Sequence, residues 1–154
     1  MRDRDSVLVV AAHPDDEVLG CGGTMARLAA EGHEVRIAIM AEGMTARYPH
    51  QEQADQKKLH HLHSNAQQAA DRVGAKELVF CKFPDNRMDT VPLLDVVKCV
   101  EELIEKFAPA LIYTHHSGDL NVDHGIVHRA VLTPLESLSQ GRGRQRLLLA
   151  TQPP

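Results

Sequence analysis

Cysteine is scarce in this 154-residue chain: Cys21, Cys81 and Cys99 are odd in number, far apart and in no CxxC spacing. That argues against a disulfide framework and fits a reducing compartment. No apolar run approaches the ~20 residues a membrane span needs. The amino terminus, Met1-Arg2-Asp3-Arg4-Asp5, is charged and carries no signal-peptide apolar region, so a cytoplasmic location is expected. Cationic blocks are also missing until Arg142-Gly143-Arg144-Gln145-Arg146, and 17 basic against 21 acidic residues leave a formal charge of −4. Nucleic acid is therefore not an expected partner. The glycines Gly20, Gly22 and Gly23 do not space as GxGxxG, and the later ribose-binding acid of a dinucleotide site is missing. The length suits one domain, able to bury roughly two-thirds of the surface its unfolded form exposes. What the chain has in excess is histidine, ten in all.

Residues 7–17, VLVVAAHPDDE, concentrate the chemistry. The apolar part has the length and β-branched content of a central strand covered on both faces. Pro14 ends it, because proline cannot donate to a ladder. His13, Asp15, Asp16 and Glu17 are thus placed in the turn at a strand's carboxyl end, where open α/β sheets hold ligands. Adjacent carboxylates repel unless a positive charge lies near, and a divalent metal accepts carboxylate and neutral imidazole together. The simpler alternative is a polar turn whose acids favour a helix amino terminus.

Further along, a glycine-rich turn at residues 20–24 predicts a helix over 25–30 that stops at Gly32. Residues 34–40 read as a second strand emptying into a loop with Glu42 and Arg47. Residues 51–73 read as a polar helix whose His60-His61-Leu62-His63 cluster lies on a solvated surface. Residues 77–82 form a third strand, leading to Asp85, Asn86 and Arg87. An apolar stripe through Leu93, Val97, Val100, Ile104 and Phe107 predicts a helix packed on the sheet. Residues 110–114 make the fourth strand, followed by HHSGDLNVDH at 115–124 and a helix over 125–132. Residues 133–154 read as an irregular tail around a lone apolar run, 147–150, a candidate short strand.

Successive βα units imply a mostly parallel sheet in a Rossmann-like three-layer sandwich. All strand carboxyl ends then share one rim, so the loops carrying His13, Glu42, Asp85 and His124 face a common crevice. A metal there takes imidazole from His13, carboxylate from one of the aspartates and imidazole most simply from His124. Such a set leaves positions open, as in catalytic rather than structural zinc sites. The remaining aspartate is free to act as general base.

Ala12-His13-Pro14-Asp15-Asp16-Glu17, with Asp123-His124 after a later strand, resembles the LmbE-like or PIG-L-type zinc-dependent N-deacetylases, over roughly residues 7–132. The resemblance implies a zinc site of His13, Asp16 and His124, with Asp15 as general base and Asn121 and Asp123 among the catalytic residues. It implies hydrolysis of the acetamide of an N-acetylglucosamine-type sugar or sugar conjugate by the metal-held water. Glu42, Arg47, Asp85 and Arg87 become the expected substrate contacts. Iron(II) suits the same ligands.

Two departures stand out. Many members read HxDH where this chain has Asn121-Val122-Asp123-His124; an amide donates to an oxyanion but delivers no proton at neutral pH. His115 or His116 then becomes an alternative acid. The family domain also usually continues further, so the expected layout is a partial deacetylase domain over 1–132 with a tail over 133–154. An apparently truncated end would leave a sheet edge open to self-association. Three rivals remain open from the residues alone: a weakly active or inactive metal- or sugar-binding relative, an iron oxygenase using the same ligands, and a flavodoxin-like domain that needs no metal.

Overall fold

The computed structural model describes residues 5–50, 53–140 and 148–151. Strands and helices alternate through these residues: β1 (Ser6–Ala11), α1 (Asp16–Ala30), β2 (Glu34–Ala41), α2 (Gln56–Arg72), β3 (Glu77–Phe83), α3 (Leu93–Phe107), β4 (Leu111–Thr114), α4 (Val122–Gln140) and β5 (Leu148–Thr151). The sheet order is β3-β2-β1-β4-β5 and each pairing is parallel. β1 is central because Val7 through Ala11 are all sealed from solvent. Their side chains alternate between two apolar layers. Val7 and Val9 join Val35, Ile37 and Ile39 under α1 and α2, against Met25, Leu28, Ala66 and Ala70. Leu8 and Val10 join Ala38 and Met40 under α3 and α4, against Val96, Val100, Val127 and Val131. Each such Val, Leu or Ile stabilises the fold by about 1.5–3 kcal/mol relative to an exposed side chain.

This strand order reverses direction at β1, so β2 and β4 flank it while their crossovers run to opposite faces. A crevice opens at the carboxyl ends of β1 and β4, the topological switch point.

Two helices depart from the sequence pattern. The glycine-rich segment is not a turn before a helix. α1 begins at Asp16 and carries those glycines within it, with a kink at Cys21 (φ −144°, ψ 20°). Asp16 and Glu17 in the first turn favour that early start, and burial of Cys21, Met25 and Leu28 offsets the ~1 kcal/mol that a helical glycine costs. The expected break after residue 132 is also absent: α4 continues through Pro134 to Gln140, and Ile126, Val127, Ala130 and Val131 anchor it to the core. α2 starts five residues later than the pattern suggests, where Asp55 accepts hydrogen bonds from the N–H groups of Lys57 and Lys58. The apolar run near the end does form a strand, β5, paired along β4. The basic block at 142–146, residue 147 and the first four residues lie outside the described residues.

Candidate metal centre

Three donor atoms from two distant loops converge beyond the β1 and β4 ends. Asp16 Oδ2 lies 3.3 Å from His13 Nδ1 and 3.2 Å from His124 Nε2, and the two imidazole nitrogens are 3.3 Å apart. A tetrahedral ion with bonds of about 2.0–2.1 Å holds its ligands about 3.3–3.4 Å apart along each edge. The triangle thus has the dimensions of one face of such a shell. Two neutral nitrogens and one carboxylate are also the donor types a borderline divalent ion prefers. These residues fit a zinc or iron(II) ion, and one of them, His13, also lines the neighbouring cleft.

Both imidazoles are oriented from behind. Asp123, fully buried, meets His13 Nε2 at 3.0 Å. Its carboxylate also accepts the N–H groups of Asn86 at 2.7 Å and Met88 at 3.0 Å. Asp119 Oδ2 meets His124 Nδ1 at 2.8 Å. Carboxylate–imidazole pairs of this kind fix the ring and raise its basicity. Burial opposes charge on His13, but the hydrogen bonds to Asp123 and Asp16 outweigh it and push its pKa up to about 10. Burial works against the Asp16 carboxylate as well, yet its bonds to His124 and His13 hold it well below the usual carboxylate range. The donors therefore sit as a carboxylate between imidazoles held by their neighbours' charge.

Asp15 stands beside this triangle in a strained backbone conformation, φ 123°. The buried Glu17 sustains it, accepting the Asp15 N–H through Oε2 at 3.0 Å. Asp15 makes no capping bond to α1 and lines a cleft of about 620 Å³ together with His13. Partial burial and the neighbouring Asp16 charge raise its pKa, which makes it a better proton acceptor than an ordinary surface aspartate.

The remaining expected residues divide. Arg47 and Asp85 line the cleft, but Asp85 is buried and its carboxylate accepts the Ala46 N–H and the Asn86 amide, a scaffold role more than a free contact. Glu42 and Arg87 are not among the cleft-lining residues; the Glu42 carbonyl meets His63 Nε2 at 2.9 Å. That bond, with His63 stacked on Phe80, takes His63 out of the solvated histidine cluster. Asn121 is also engaged elsewhere. Its Oδ1 accepts the N–H groups of Asp123 and His124 as an α4 cap, and its Nδ2 donates to Asn86 Oδ1 at 3.0 Å. Asp123 acts behind His13 rather than at the cleft. His115 is no neutral-pH acid. It accepts the Ala12 N–H at Nε2 (2.8 Å) and stacks on His124 at 3.8 Å, and burial, then the charge on His124, lowers its pKa to about 4. His116 Nδ1 is occupied by the Gly118 N–H.

Glu17, Asn86 and Asp119 lie in segments that the sequence places on the site rim, but the motifs assign none of them a role; the structure sets Glu17 behind Asp15, Asn86 against Asp123 and Asp119 behind His124.

Residues 8–134 match the PIG-L family model, described as GlcNAc-PI de-N-acetylase. An uncharacterized deacetylase, YaiS, of Escherichia coli K12 is 27% identical over 142 residues, covering 89% of this chain and 71% of the relative. A probable N-acetyl-alpha-D-glucosaminyl L-malate deacetylase 2 of Bacillus cereus is 29% identical over 129 residues, covering 82% and 59%. The crystal structure of the conserved protein TT1542 from Thermus thermophilus superimposes with a TM-score of 0.73 at 26% identity, over 99% of this chain and 68% of that one. The metal-sized triangle lies inside the matched span, at the rim where the fold places ligands, and the chain belongs to the PIG-L family of de-N-acetylases.

Proposed function

We propose that this chain is a metal-dependent N-deacetylase, hydrolysing the acetamide of an N-acetylglucosamine-type sugar or sugar conjugate, with a single catalytic domain that includes the whole of α4 and β5. The observation that supports this most directly is the 3.2–3.3 Å triangle of His13, Asp16 and His124 with an uncapped Asp15 beside it at the cleft. A bound zinc ion supplies Lewis acidity toward the acetyl carbonyl and acidifies water at neutral pH.

The chain's own groups supply positioning and proton movement. The cleft seats the sugar with its acetamide toward His13. Asp15 accepts the proton of the attacking water as the oxygen bonds to the carbonyl carbon, then returns it to the nitrogen as the C–N bond breaks. Acetate and a free amine leave. Asp123 and Asp119 keep both imidazoles facing the donor triangle throughout, and the low pKa of His115 keeps that ring neutral as a packing partner.

Elemental analysis of wild type beside His13→Ala and Asp16→Ala, with amine release from N-acetylglucosamine derivatives followed on the same samples, tests the reading. The expected result is near-stoichiometric metal and metal-dependent amine release in wild type, both lost in each variant. Metal bound without turnover on any N-acetyl sugar would overturn the hydrolase reading, and a folded, metal-free wild type unable to take up zinc would overturn the site itself.

A further inference from the structure

Two of the three cysteines meet in space, away from the donor triangle. Cys81 lies on β3 and faces the α3 side of the sheet, since Val79, Cys81 and Phe83 pack in that apolar layer while Leu78 and Phe80 pack in the other. Cys99 enters the same layer from α3, one turn from the buried Val96 and Leu103. The two thiols share a hydrogen bond there, Cys81 donating to Cys99. Both are free and only partly buried, so a small oxidant can reach them. Cys21 takes no part: it is buried in the opposite layer and its thiol donates to the Glu17 carbonyl at 3.3 Å.

The chain between these thiols serves the metal centre. Residues 84–92 join β3 to α3 and carry the Asn86 and Met88 N–H groups that hold Asp123 behind His13. Asn86 does this at φ 51°, a left-handed conformation that surrounding contacts must sustain. β3 is the edge strand of the described sheet, next to β2 alone, so its outer flank has no ladder to steady that loop.

We propose that Cys81 and Cys99 form a reversible disulfide, a modification site that staples the two ends of this loop and so steadies Asp123. The inference stands apart from the deacetylase reading. With oxidised glutathione as the oxidant, the Cys99 thiolate attacks one glutathione sulfur and expels the first glutathione thiolate; Cys81 then attacks the Cys99 sulfur of the mixed disulfide and expels the second. One protein S–S bond replaces that of the oxidant, and the two thiol hydrogens end on two molecules of reduced glutathione. The hydrogen bond from Cys81 lowers the Cys99 pKa, although burial and the Glu102 charge oppose it, which suits Cys99 to the first attack. A bond made and broken in this way accords with a reducing compartment, where the disulfides that do occur are mostly transient or redox-sensing.

The test equilibrates the metal-loaded full chain with oxidised and reduced glutathione, blocks the remaining thiols with an alkylating agent and maps the peptides by mass spectrometry. A Cys81–Cys99 cross-linked peptide is expected, reversed by reduced glutathione, absent in Cys81→Ser and Cys99→Ser and retained in Cys21→Ser. Hydrogen exchange at residues 84–90 should slow about fivefold in the oxidised chain, and its melting temperature should rise by about 5–10 °C. Single glutathione adducts without the cross-link, no reaction in the folded chain, or a cross-link that forms only in urea overturns the pairing. A cross-link that leaves exchange in the loop unchanged overturns the staple. Should a serine variant fail to fold, the peptide map of wild type beside Cys21→Ser decides the pairing. Amine release enters none of these readouts, so failure here leaves the deacetylase reading untouched.

Discussion

Replacing Asp123 by asparagine removes one charge without changing the volume of a fully buried side chain. The carboxylate meets three groups, the Asn86 N–H at 2.7 Å, the Met88 N–H at 3.0 Å and His13 Nε2 at 3.0 Å. An asparagine has one acceptor oxygen, so its NH₂ must face at least one of these donors. A buried donor left unmatched costs about 1–3 kcal/mol, and the bonds that remain lose their charge assistance. Urea unfolding of metal-free protein should therefore show a loss of about 2–4 kcal/mol. His13 also loses the partner that orients it, and outer carboxylates of this kind are worth about 10–100-fold in metal affinity. A zinc titration against a chromophoric chelator measures that directly. Asp119→Asn gives the contrast. It removes the equivalent partner of His124 from a site 31% exposed, so affinity should fall about tenfold while stability changes by less than about 1 kcal/mol. An Asp123→Asn protein that binds zinc within twofold of wild type, or unfolds at the same urea concentration, would refute the orienting role.

Other perturbations follow from the same geometry. Asp15→Asn should lower kcat by about 10²–10⁴ while zinc affinity stays within a few-fold, since Asp15 is outside the donor triangle; equal losses in both would move it into the ligand set. Zinc affinity should climb with pH from about 6 to 9, by about tenfold per unit for each proton displaced, because His13 holds its proton up to about 10 and His124 is shifted the same way, burial being outweighed by Asp16 and Asp119. A flat profile by chelator competition would refute this. Gly43→Ala should destabilise by about 1–3 kcal/mol in thermal or urea unfolding. Gly43 has φ +76°, and a Cβ there would lie 2.9 Å from Leu62 Cδ2 and from the Pro14 ring. Unchanged stability would mean that the loop yields without strain. Chelator treatment should abolish amine release and added zinc restore it; activity persisting in metal-free protein would remove the metal from the reaction.

The strands were legible because they are buried on both faces: β1, β2 and β4 read as near-continuous apolar runs, and the observed ends fall within a residue or two of those expected. The helices were less so. Gly20, Gly22 and Gly23 look like a turn, but the core contacts of Cys21, Met25 and Leu28 override local propensity. Pro134 looks like a stop, but α4 is held by contacts on both sides of the sequence break the pattern suggested. At the site, the meeting of His13, Asp16 and His124 could be expected from sequence because each lies in a segment that follows a strand's carboxyl end on one rim. The partners behind them were not, because Asp123 to Asn86, Asp119 to His124 and Glu17 to Asp15 are relations of space. Asn121 misleads for the same reason: its motif position suggests catalysis, while its amide caps α4 and bridges to Asn86.

His13 and His124 stand 111 positions apart in the chain, and between them lies the pairing of β1 with β4. The donor triangle therefore comes into being only after the slow, long-range closure of a parallel sheet, and no partly folded chain lacking that seam presents it. Ion uptake becomes a late event in folding. On the proposed function, a bound ion would clip the first strand to the fourth across the crevice, and a free concentration about a thousandfold above its dissociation constant would add about 4 kcal/mol to the folded state. The same three atoms that prepare the cleft for chemistry would then act as the clasp of the sheet, and metal supply would govern how long the molecule lasts as well as what it does.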